Sequence, residues 1–440
     1  MPRTLIAYRA LLRLGVLLAP ALGRSAKAAA GHRGRTGAAD RLTAWARLAR
    51  DRGRPLIWFH AASVGEGLQA ESVLLELQQL HPEGQYLYTH FSPSAETLAR
   101  RMPVDAADYL PYDVPAVIAP LLAELSPDLL VFAKLDLWPE LATRAAAAGA
   151  SVALVAGTVA PGSGRLRWPA RALLRSGYES VAAAGAIAEE DGARLARLGV
   201  ARERIRVLGD TRYDSVADKV RAVPTDDRLP RLGGPGTLVA GSTWPADEGV
   251  ILRAFAEVRG GAPEARLILV PHEPTEPHLQ AIERAAAGLD LPAPVRLSEA
   301  TAAGPLLGVV RVGVLARLYG VGELAYVGGG YGRAGLHSVL EPAAWGLPVS
   351  FGPRWRQSRD AGLLLRAGAA LALPEKPAAA AARLAEWWRE GLAASAQGSA
   401  AGRRAREVVT SGAGAARRSA ELLARLISSR PLRRSPTGAR

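Results

Sequence analysis

Short apolar runs alternate with longer stretches rich in Ala, Leu, Glu and Arg from residue 55 onward. The short runs are typical of buried strands, and the stretches between them are typical of helices. Strict alternation of the two predicts a parallel α/β architecture. In the first half of the chain the predicted strands are Leu56–His60, Tyr86–Phe91, Leu129–Ala133, Val152–Ala156, Val181–Ile187 and Ile205–Leu208.

A second alternating set follows a segment, residues 222–236, that is rich in Pro, Gly, Asp and Arg and is predicted to be an interdomain linker. Two comparable halves predict two Rossmann-like domains facing a cleft, at residues 40–221 and 237–428, with a basic tail at 429–440. Ligands of such sheets bind beyond the carboxyl ends of the strands. The predicted strands here are Thr237–Ala240, Arg266–Val270, Leu324–Val327 and Pro348–Phe351, with helices near 246–258, 276–287 and 337–345.

The first apolar segment, Leu5 to Leu22, contains Arg9 and Arg13. Its uninterrupted apolar run, residues 14–23, is ten residues long, whereas a spanning helix needs about 20. Arg9, Arg13 and Arg24 fall in one sector of a helix. Residues 1–24 are therefore predicted to form an amphipathic helix that lies on an anionic membrane surface with its arginines at the headgroups. A short signal peptide and a soluble packing helix are the alternatives.

Composition narrows the function classes. The chain has 440 residues, a formal net charge of +14 and no cysteine, which excludes disulfide scaffolds, thiolate zinc sites and cysteine nucleophiles. Residues 1–40 carry a net charge of +6 and residues 401–440 carry +8, so the interior is neutral. A duplex-binding domain usually has a basic stripe on its folded body, so no nucleic-acid partner is expected.

Candidate chemistry in the first half follows the predicted strands. Residues 60–67 read HAASVGEG, and Glu66 beside glycines is a candidate general base. The spacing of Ser63 and Glu66 is also that of a helix capping box, and spacing alone favours the cap. Two further strands run into KLDLWP at 134–139 and GDTRYD at 209–214, which are candidate site loops or ordinary solvated loops.

In the second half, residues 241–243 (GST) and the pair Pro271-His272 follow strands in the same way. A glycine-rich run, 328–335, precedes Glu341, and the pattern suggests a loop that opens a helix and presents amides to an anionic group, with Glu341 placed to accept from ribose hydroxyls. The strict Rossmann and Walker patterns do not occur, the seven histidines lack metal-ligand spacing, and no Asp-x-Asp motif is present.

At these motifs the chain resembles the 3-deoxy-D-manno-octulosonic acid (Kdo) transferases of lipopolysaccharide assembly. The resemblance runs from the amphipathic start to about residue 370 and implies a GT-B glycosyltransferase associated with the cytoplasmic side of the inner membrane. It implies transfer of Kdo from CMP-Kdo to a lipid A precursor with inversion, without metal or other cofactor. The motifs are residues 60–66 (HAASVGE), 135–139 (LDLWP), 209–214 (GDTRYD), 241–245 (GSTWP) and 326–353.

The resemblance also implies roles for individual residues. Glu66 would be the base that takes the proton of the acceptor hydroxyl, and Asp136 and Arg212 would support the transition state. The residues that would contact CMP are Pro271, His272, Val312, Gly313, Val314, Ser338, Val339, Leu340 and Glu341.

The chain departs from the family pattern in places. Lys134 stands where many relatives have an acid, Arg212 where many have lysine, and residues 336–338 read LHS in place of Gly-His-Asn. The arginine often found after Pro271 is missing. The alternatives are another GT-B nucleotide-sugar enzyme, such as a UDP-sugar transferase or an epimerase, and a non-enzymatic basic protein that binds membranes or nucleic acid.

Overall fold

The computed structural model describes residues 3–22, 26–222, 232–234, 236–300, 304–308, 313–332, 335–393 and 399–428. The chain forms two compact units, one made of the described residues of Met1–Ser215 and Ala413–Arg440, the other of those of Val216–Gly412. Residues 223–231 and 235 of the predicted linker, and the whole predicted tail 429–440, lie outside the described residues.

The first unit is built on a seven-stranded parallel sheet with the order β3-β2-β1-β4-β5-β6-β7. Its central strands are buried along their whole length, because helices cover both faces of a parallel sheet. The strands are β1 Leu56–Ala61, β2 Gln85–His90, β3 Ala106–Tyr109, β4 Leu129–Ala133, β5 Ser151–Gly157, β6 Ala183–Ala186 and β7 Ile205–Val207.

Helices connect these strands and flank the sheet. They are α1 Arg3–Leu22, α2 Ala26–Arg35, α3 Ala38–Ala49, α4 Val64–Leu80, α5 Glu96–Arg101, α6 Pro115–Leu125, α7 Pro139–Ala147, α8 Ala170–Glu179, α9 Glu189–Leu198 and α10 Arg212–Arg221. The first unit ends at Ser215, within α10, and the rest of this helix belongs to the second unit.

The second unit has a seven-stranded parallel sheet with the order β10-β11-β9-β8-β12-β13-β14. Its strands are β8 Thr237–Thr243, β9 Arg266–Pro271, β10 Val295–Arg296, β11 Leu306–Gly308, β12 Leu324–Val327, β13 Val349–Phe351 and β14 Ala370–Ala372. Its helices are α11 Pro245–Arg259, α12 Glu276–Ala287, α13 Leu315–Leu318, α14 Leu340–Trp345, α15 Arg359–Arg366, α16 Pro377–Ala393 and α17 Ala400–Gly412. Both sheets confirm the predicted α/β class.

The last described helix, α18 (Ala415–Ser428), belongs to the first unit, whereas the sequence interpretation assigned it to the second domain. Its apolar stripe, Ala416, Ala420 and Leu423, is buried in the same core cluster as the apolar side of α4. The stripe recurs at helical spacing, so burying it on α4 removes a continuous apolar face from water. The carboxylate of Asp214 accepts the backbone N–H groups of Gly414 and Ala416 and so satisfies the start of this helix.

Helix α1 packs on the first unit, mainly on α8, in an orientation that differs from the predicted one. Arg9 points inward and donates to the carboxylate of Glu140, which is fully buried, at 2.6 Å. The residues that remain exposed include the apolar Ile6, Leu11 and Leu14, together with Arg13. The expectation that Arg9 reaches membrane headgroups is therefore wrong, because Arg9 forms an ion pair with a buried carboxylate. Among the described residues, no helix is long and apolar enough to cross a membrane.

Candidate active site

Glu66 lies in the first turn of α4, three residues after the N-cap position of Ser63. Its side chain is half-buried, and its Oε2 accepts a hydrogen bond from the Ser63 hydroxyl at 3.2 Å. The Ser63 side chain makes no hydrogen bond to the helix backbone, so the capping box suggested by the spacing does not form. The carboxylate is thereby held at the carboxyl end of β1, where a substrate of a parallel sheet would bind.

Asp136 follows β4, the neighbour of β1 in the sheet. Its Oδ2 lies 2.9 Å from Nε2 of the fully buried His60 and accepts from Nε1 of Trp138 at 3.2 Å. Burial by itself would raise the pKa of Asp136, but the hydrogen bonds from His60 and Trp138 hold that pKa below its usual range.

Arg212 follows β7 and is held by its neighbour Asp210. The Arg212 guanidinium donates twice to Oδ2 of Asp210, at 2.9 and 2.6 Å, and its backbone N–H donates to Oδ1. Gln69, one turn beyond Glu66 on α4, donates from Nε2 to Oδ1 of the same buried Asp210 at 3.1 Å. The Arg212 side chain keeps 38% of its surface exposed, so the cation remains open to solvent.

Helix α4 therefore carries Glu66 and, through Gln69 and Asp210, also contacts the residues that hold Arg212. Asp136 is held by His60 at the end of the preceding strand. Two carboxylates and a cation that follow strands of one sheet are residue types suited to acid–base and anion chemistry. Sequence reasoning missed Gln69; its spacing of three from Glu66 was the available signal.

In the second unit, Asp247 accepts hydrogen bonds from several elements and is fully buried in the first turn of α11. Its carboxylate accepts the backbone N–H groups of Trp244 and Gly329 at 3.0 and 2.9 Å and the Tyr326 hydroxyl at 2.8 Å. Burial raises the pKa of Asp247, and these hydrogen bonds act against that rise. The Asp247 carboxylate therefore holds the glycine-rich loop through the backbone N–H of Gly329.

The glycines of that loop are required by close backbone packing. A Cβ atom on Gly328 would collide with the carbonyl of Ser242, and one on Gly330 would lie 2.6 Å from the backbone nitrogen of Gly352. Helix α14 begins only at Leu340, so the predicted helix 337–345 starts three residues late and the glycine run does not open it. The amide of Gly329 donates to Asp247, which corrects the expectation that the whole loop presents free amides.

Three rings contact one another beyond the carboxyl ends of β8 and β9. The His272 ring stacks on that of His337 at 4.4 Å and lies 4.9 Å from that of Trp244, tilted by 30°. The Trp244 indole donates to Nε2 of His337 at 3.2 Å. Burial, and then the neighbouring His272, lower the pKa of His337, so it is the neutral ring that accepts this bond.

The other residues predicted to contact the donor differ in how far they are exposed to solvent. Pro271 ends β9, the Gly313 backbone is exposed, and Ser338 is exposed beside the stacked His337. Glu341 is half-buried and accepts from the ammonium of Lys219 at 3.1 Å. The side chains of three further residues are buried, so only their backbone could meet a ligand; they are Val314, Val339 and Leu340. Val312 lies outside the described residues.

Within the described ranges, no group of three or more histidine, aspartate or glutamate side chains is arranged to hold a metal ion.

The two-unit architecture is that of GT-B glycosyltransferases and related epimerases. A UDP-GlcNAc 2-epimerase from Neisseria meningitidis aligns with a TM-score of 0.60 and 11% identity over 86% of this chain and all of that one. A glycosyltransferase from Rickettsia africae aligns with a TM-score of 0.57 and 11% identity, again over 86% of this chain and all of the other. Identities this low define the fold class and no more.

Sequence similarity is more specific. The family model for 3-deoxy-D-manno-octulosonic-acid transferase (kdotransferase) matches residues 35–215. The enzyme of that name from Chlamydophila psittaci is 30% identical over 331 residues, which is 72% of this chain and 74% of the relative. The one from Bordetella pertussis is 28% identical over 384 residues, 83% of this chain and 86% of the relative. The chain belongs to the Kdo transferase family of glycosyltransferases, which confirms the resemblance found in the motifs.

Proposed function

We propose that the protein transfers Kdo from CMP-Kdo to a lipid A precursor in lipopolysaccharide biosynthesis, with inversion at the anomeric carbon and without a metal ion. Membership of the Kdo transferase family supports the reaction class. The observation that carries the proposal is the position of Glu66, Asp136 and Arg212 after three strands of one parallel sheet, with Asp136 held by His60 and Arg212 held by Asp210. These are the residue types that proton removal from a hydroxyl and stabilisation of two anionic reactants require.

Glu66 acts as the general base in this mechanism. Its carboxylate removes the proton of the acceptor hydroxyl as that oxygen attacks the anomeric carbon of Kdo. The bond from this carbon to the phosphate oxygen of CMP breaks on the opposite face of the sugar, so the configuration inverts and CMP leaves as an anion. The Ser63 hydroxyl, which donates to Glu66, holds the carboxylate in one orientation before the acceptor arrives.

Arg212 supplies the positive charge for the transition state. Both the Kdo carboxylate and the departing phosphate are anionic, and an oriented guanidinium stabilises either one. The buried Asp210 fixes the orientation of Arg212, and 38% of the Arg212 side chain stays exposed for a ligand. Asp136, ionised and held by His60, lies beside the acceptor and orients its hydroxyl groups.

The donor nucleotide is assigned to the second unit. Exposed His272, whose ring contacts those of Trp244 and His337, offers aromatic surface at the carboxyl ends of the strands, the location of ligands in such sheets. Glu341, held by Lys219, would accept hydrogen bonds from ribose hydroxyls. Pro271, Gly313 and the segment from Ser338 to Leu340 would complete the contacts with CMP, and Val312 is included by resemblance.

The experiment is a Glu66→Gln substitution assayed for Kdo transfer with purified protein, CMP-Kdo and a lipid A precursor. The variant keeps the volume and the Ser63 contact but cannot take a proton, so we expect turnover to fall by about 10²- to 10⁴-fold with the thermal midpoint retained. Glu71→Gln, on the same helix, is the matched control and should retain activity. Turnover of Glu66→Gln close to that of the control would show that Glu66 is not the base.

We further propose that the first unit docks on the cytoplasmic face of the inner membrane through the exposed side of α1. Ile6, Leu11 and Leu14 are each more than half exposed on one face of this helix. Trp168, which is 82% exposed, lies in the loop leading into α8, the helix on which α1 packs. Exposed apolar and tryptophan side chains beside arginines suit the interface of an anionic bilayer.

Vesicle co-sedimentation tests this docking surface. A triple substitution of Ile6, Leu11 and Leu14 to serine is expected to reduce binding to vesicles that contain anionic phospholipid, and Trp168→Ser should reduce it further. Leu48→Ser, at an exposed leucine on another helix, is the control. Unchanged vesicle binding by the combined variant would exclude α1 as the docking element.

A further inference from the structure

The imidazole of His60 has a polar side chain at each of its two ring nitrogens. His60 is fully buried in β1, and its register partner in β2 is Thr89. Nδ1 of His60 lies 3.0 Å from the Thr89 hydroxyl, while Nε2 lies 2.9 Å from Oδ2 of Asp136. Trp58, two residues earlier on β1 and therefore on the same face, donates from its indole nitrogen to the same Thr89 hydroxyl at 2.8 Å.

The donors and acceptors in this chain can be assigned in order. An indole N–H can only donate, so the Thr89 oxygen accepts from Trp58. The proton of the Thr89 hydroxyl is then free to be donated to Nδ1 of His60. A neutral imidazole that accepts at Nδ1 carries its proton on Nε2, and the carboxylate of Asp136 is the acceptor there. Both ring nitrogens of His60 and the Thr89 hydroxyl thus have partners while the ring is neutral.

This proton arrangement fixes one oxygen of the Asp136 carboxylate. Both His60 and Trp138 donate to its Oδ2, so one carboxylate oxygen is committed to the protein. Among the described residues, none donates a hydrogen bond to Oδ1. The side chain of Asp136 is 18% exposed, and the carboxylate can therefore present one oxygen to a ligand while the other is fixed.

We propose that His60 is a positioning residue for the transfer reaction: its neutral ring, protonated at Nε2 because Trp58 and Thr89 occupy the other side, fixes one oxygen of Asp136 and leaves the second for the acceptor. The inference rests on the proposed function only for its effect on turnover, since the proton arrangement exists without substrate. The sequence motifs did not point to Thr89 or Trp58 as partners of His60.

Two matched pairs of variants test the effect on turnover. The amide nitrogen of glutamine reaches the position of Nε2, whereas asparagine reaches only that of Nδ1, so His60→Gln should retain much of the kcat that His60→Asn loses. Thr89→Ser keeps the hydroxyl and should resemble the wild type, whereas Thr89→Val, of nearly equal volume, should not. We expect kcat to fall by about 10- to 100-fold in His60→Asn, with KM for CMP-Kdo changed by less than about threefold.

Nitrogen NMR of the full-length protein labelled at histidine tests the proton arrangement directly, with no substrate present. The His60 signal is identified by its loss in His60→Gln, and the proposal predicts the shifts of a neutral ring protonated at Nε2 at pH 7.5. A ring protonated at Nδ1, or at both nitrogens, would overturn it.

If the NMR agrees but Asp136→Asn transfers Kdo normally, the proposed function of Asp136 fails instead. If Asp136→Asn is inactive while His60→Asn keeps its kcat, the positioning role fails.

Discussion

Arg9 in the first helix forms an ion pair with Glu140, the second residue of α7, and Glu140 is fully buried. Arg144 contacts the same carboxylate from the next turn of α7. The helix that is proposed to meet the membrane is therefore anchored by its polar side to the element that directly follows the Asp136 loop. Removing Arg9 leaves a buried carboxylate with less compensation, which is costly in a low-dielectric interior.

We expect Arg9→Met to lower the free energy of unfolding by about 1–3 kcal/mol and to release α1. Limited proteolysis should then cut the first 30 residues faster than in the wild type. Arg13→Met, at an exposed position of the same helix, is the control and should leave the cleavage rate unchanged. Equal cleavage rates in both variants would show that the Arg9 pair does not hold the helix.

Two glycines that flank Glu66 differ in the space around them. A Cβ atom on Gly67 would lie 2.7 Å from the Tyr88 hydroxyl and would also press on Leu98, whereas one on Gly65 would meet no atom within 4 Å. Gly67→Ala should therefore shift the first turn of α4 and lower kcat/KM for Kdo transfer by about tenfold or more. Gly65→Ala should be close to wild type in the same assay. Similar activities in both variants would contradict this account of α4.

Asp113 gives a pH dependence of stability. Burial, and less strongly the charge of Glu140, raise the pKa of Asp113 to about 6, against hydrogen bonds from Tyr8 and two backbone amides. Between its unfolded pKa near 4 and about 6, the folded chain holds a proton that the unfolded chain has released. This group therefore favours the fold at low pH and costs about 3 kcal/mol as the pH rises through 6.

The matched measurement uses Asp113→Asn, which does not titrate. The thermal midpoint of the wild type, relative to that of the variant, should fall between pH 4.5 and pH 7.5. A difference that stays constant across this range would mean that the pKa of Asp113 is not raised in the folded protein.

Asp247 is expected to control donor binding through the glycine loop. Asparagine at this position has one acceptor oxygen for three donors, so Asp247→Asn should loosen the attachment of Gly329 and Trp244. We expect KM for CMP-Kdo to rise by about tenfold while vesicle binding is unchanged. Glu257→Gln, an exposed acid on the same helix, is the control. An unchanged KM in Asp247→Asn would show that this loop does not contribute to donor binding.

The sequence predicted the centre of each sheet better than its edges. β4 and β12 match their apolar runs at both ends, because strands covered on two faces must be apolar throughout. β3 is partly exposed and contains Asp108, so its pattern is not that of a buried strand. The apolar stripe of α18 was visible in the sequence, but a stripe does not specify its partner, and packing on α4 placed this helix in the first unit.

For the site, the strand-end rule and the motifs together singled out Glu66, Asp136 and Arg212, whose catalytic roles stay a prediction. They did not find Gln69, whose partner Asp210 lies 141 residues further along the chain. Contacts of this kind depend on which loops the sheet order brings together, and a local pattern carries no such information. The inward direction of Arg9 was missed for the same reason, since the buried Glu140 lies 131 residues away.

The most direct test of the account is the mass of the product formed by the purified full-length chain from CMP-Kdo and a tetraacylated lipid A precursor. We predict an acceptor whose mass has increased by one or more Kdo units, with release of one CMP for each unit transferred. An unmodified acceptor with active CMP-Kdo present, together with consumption of a UDP-sugar by the same preparation, would contradict the central claim.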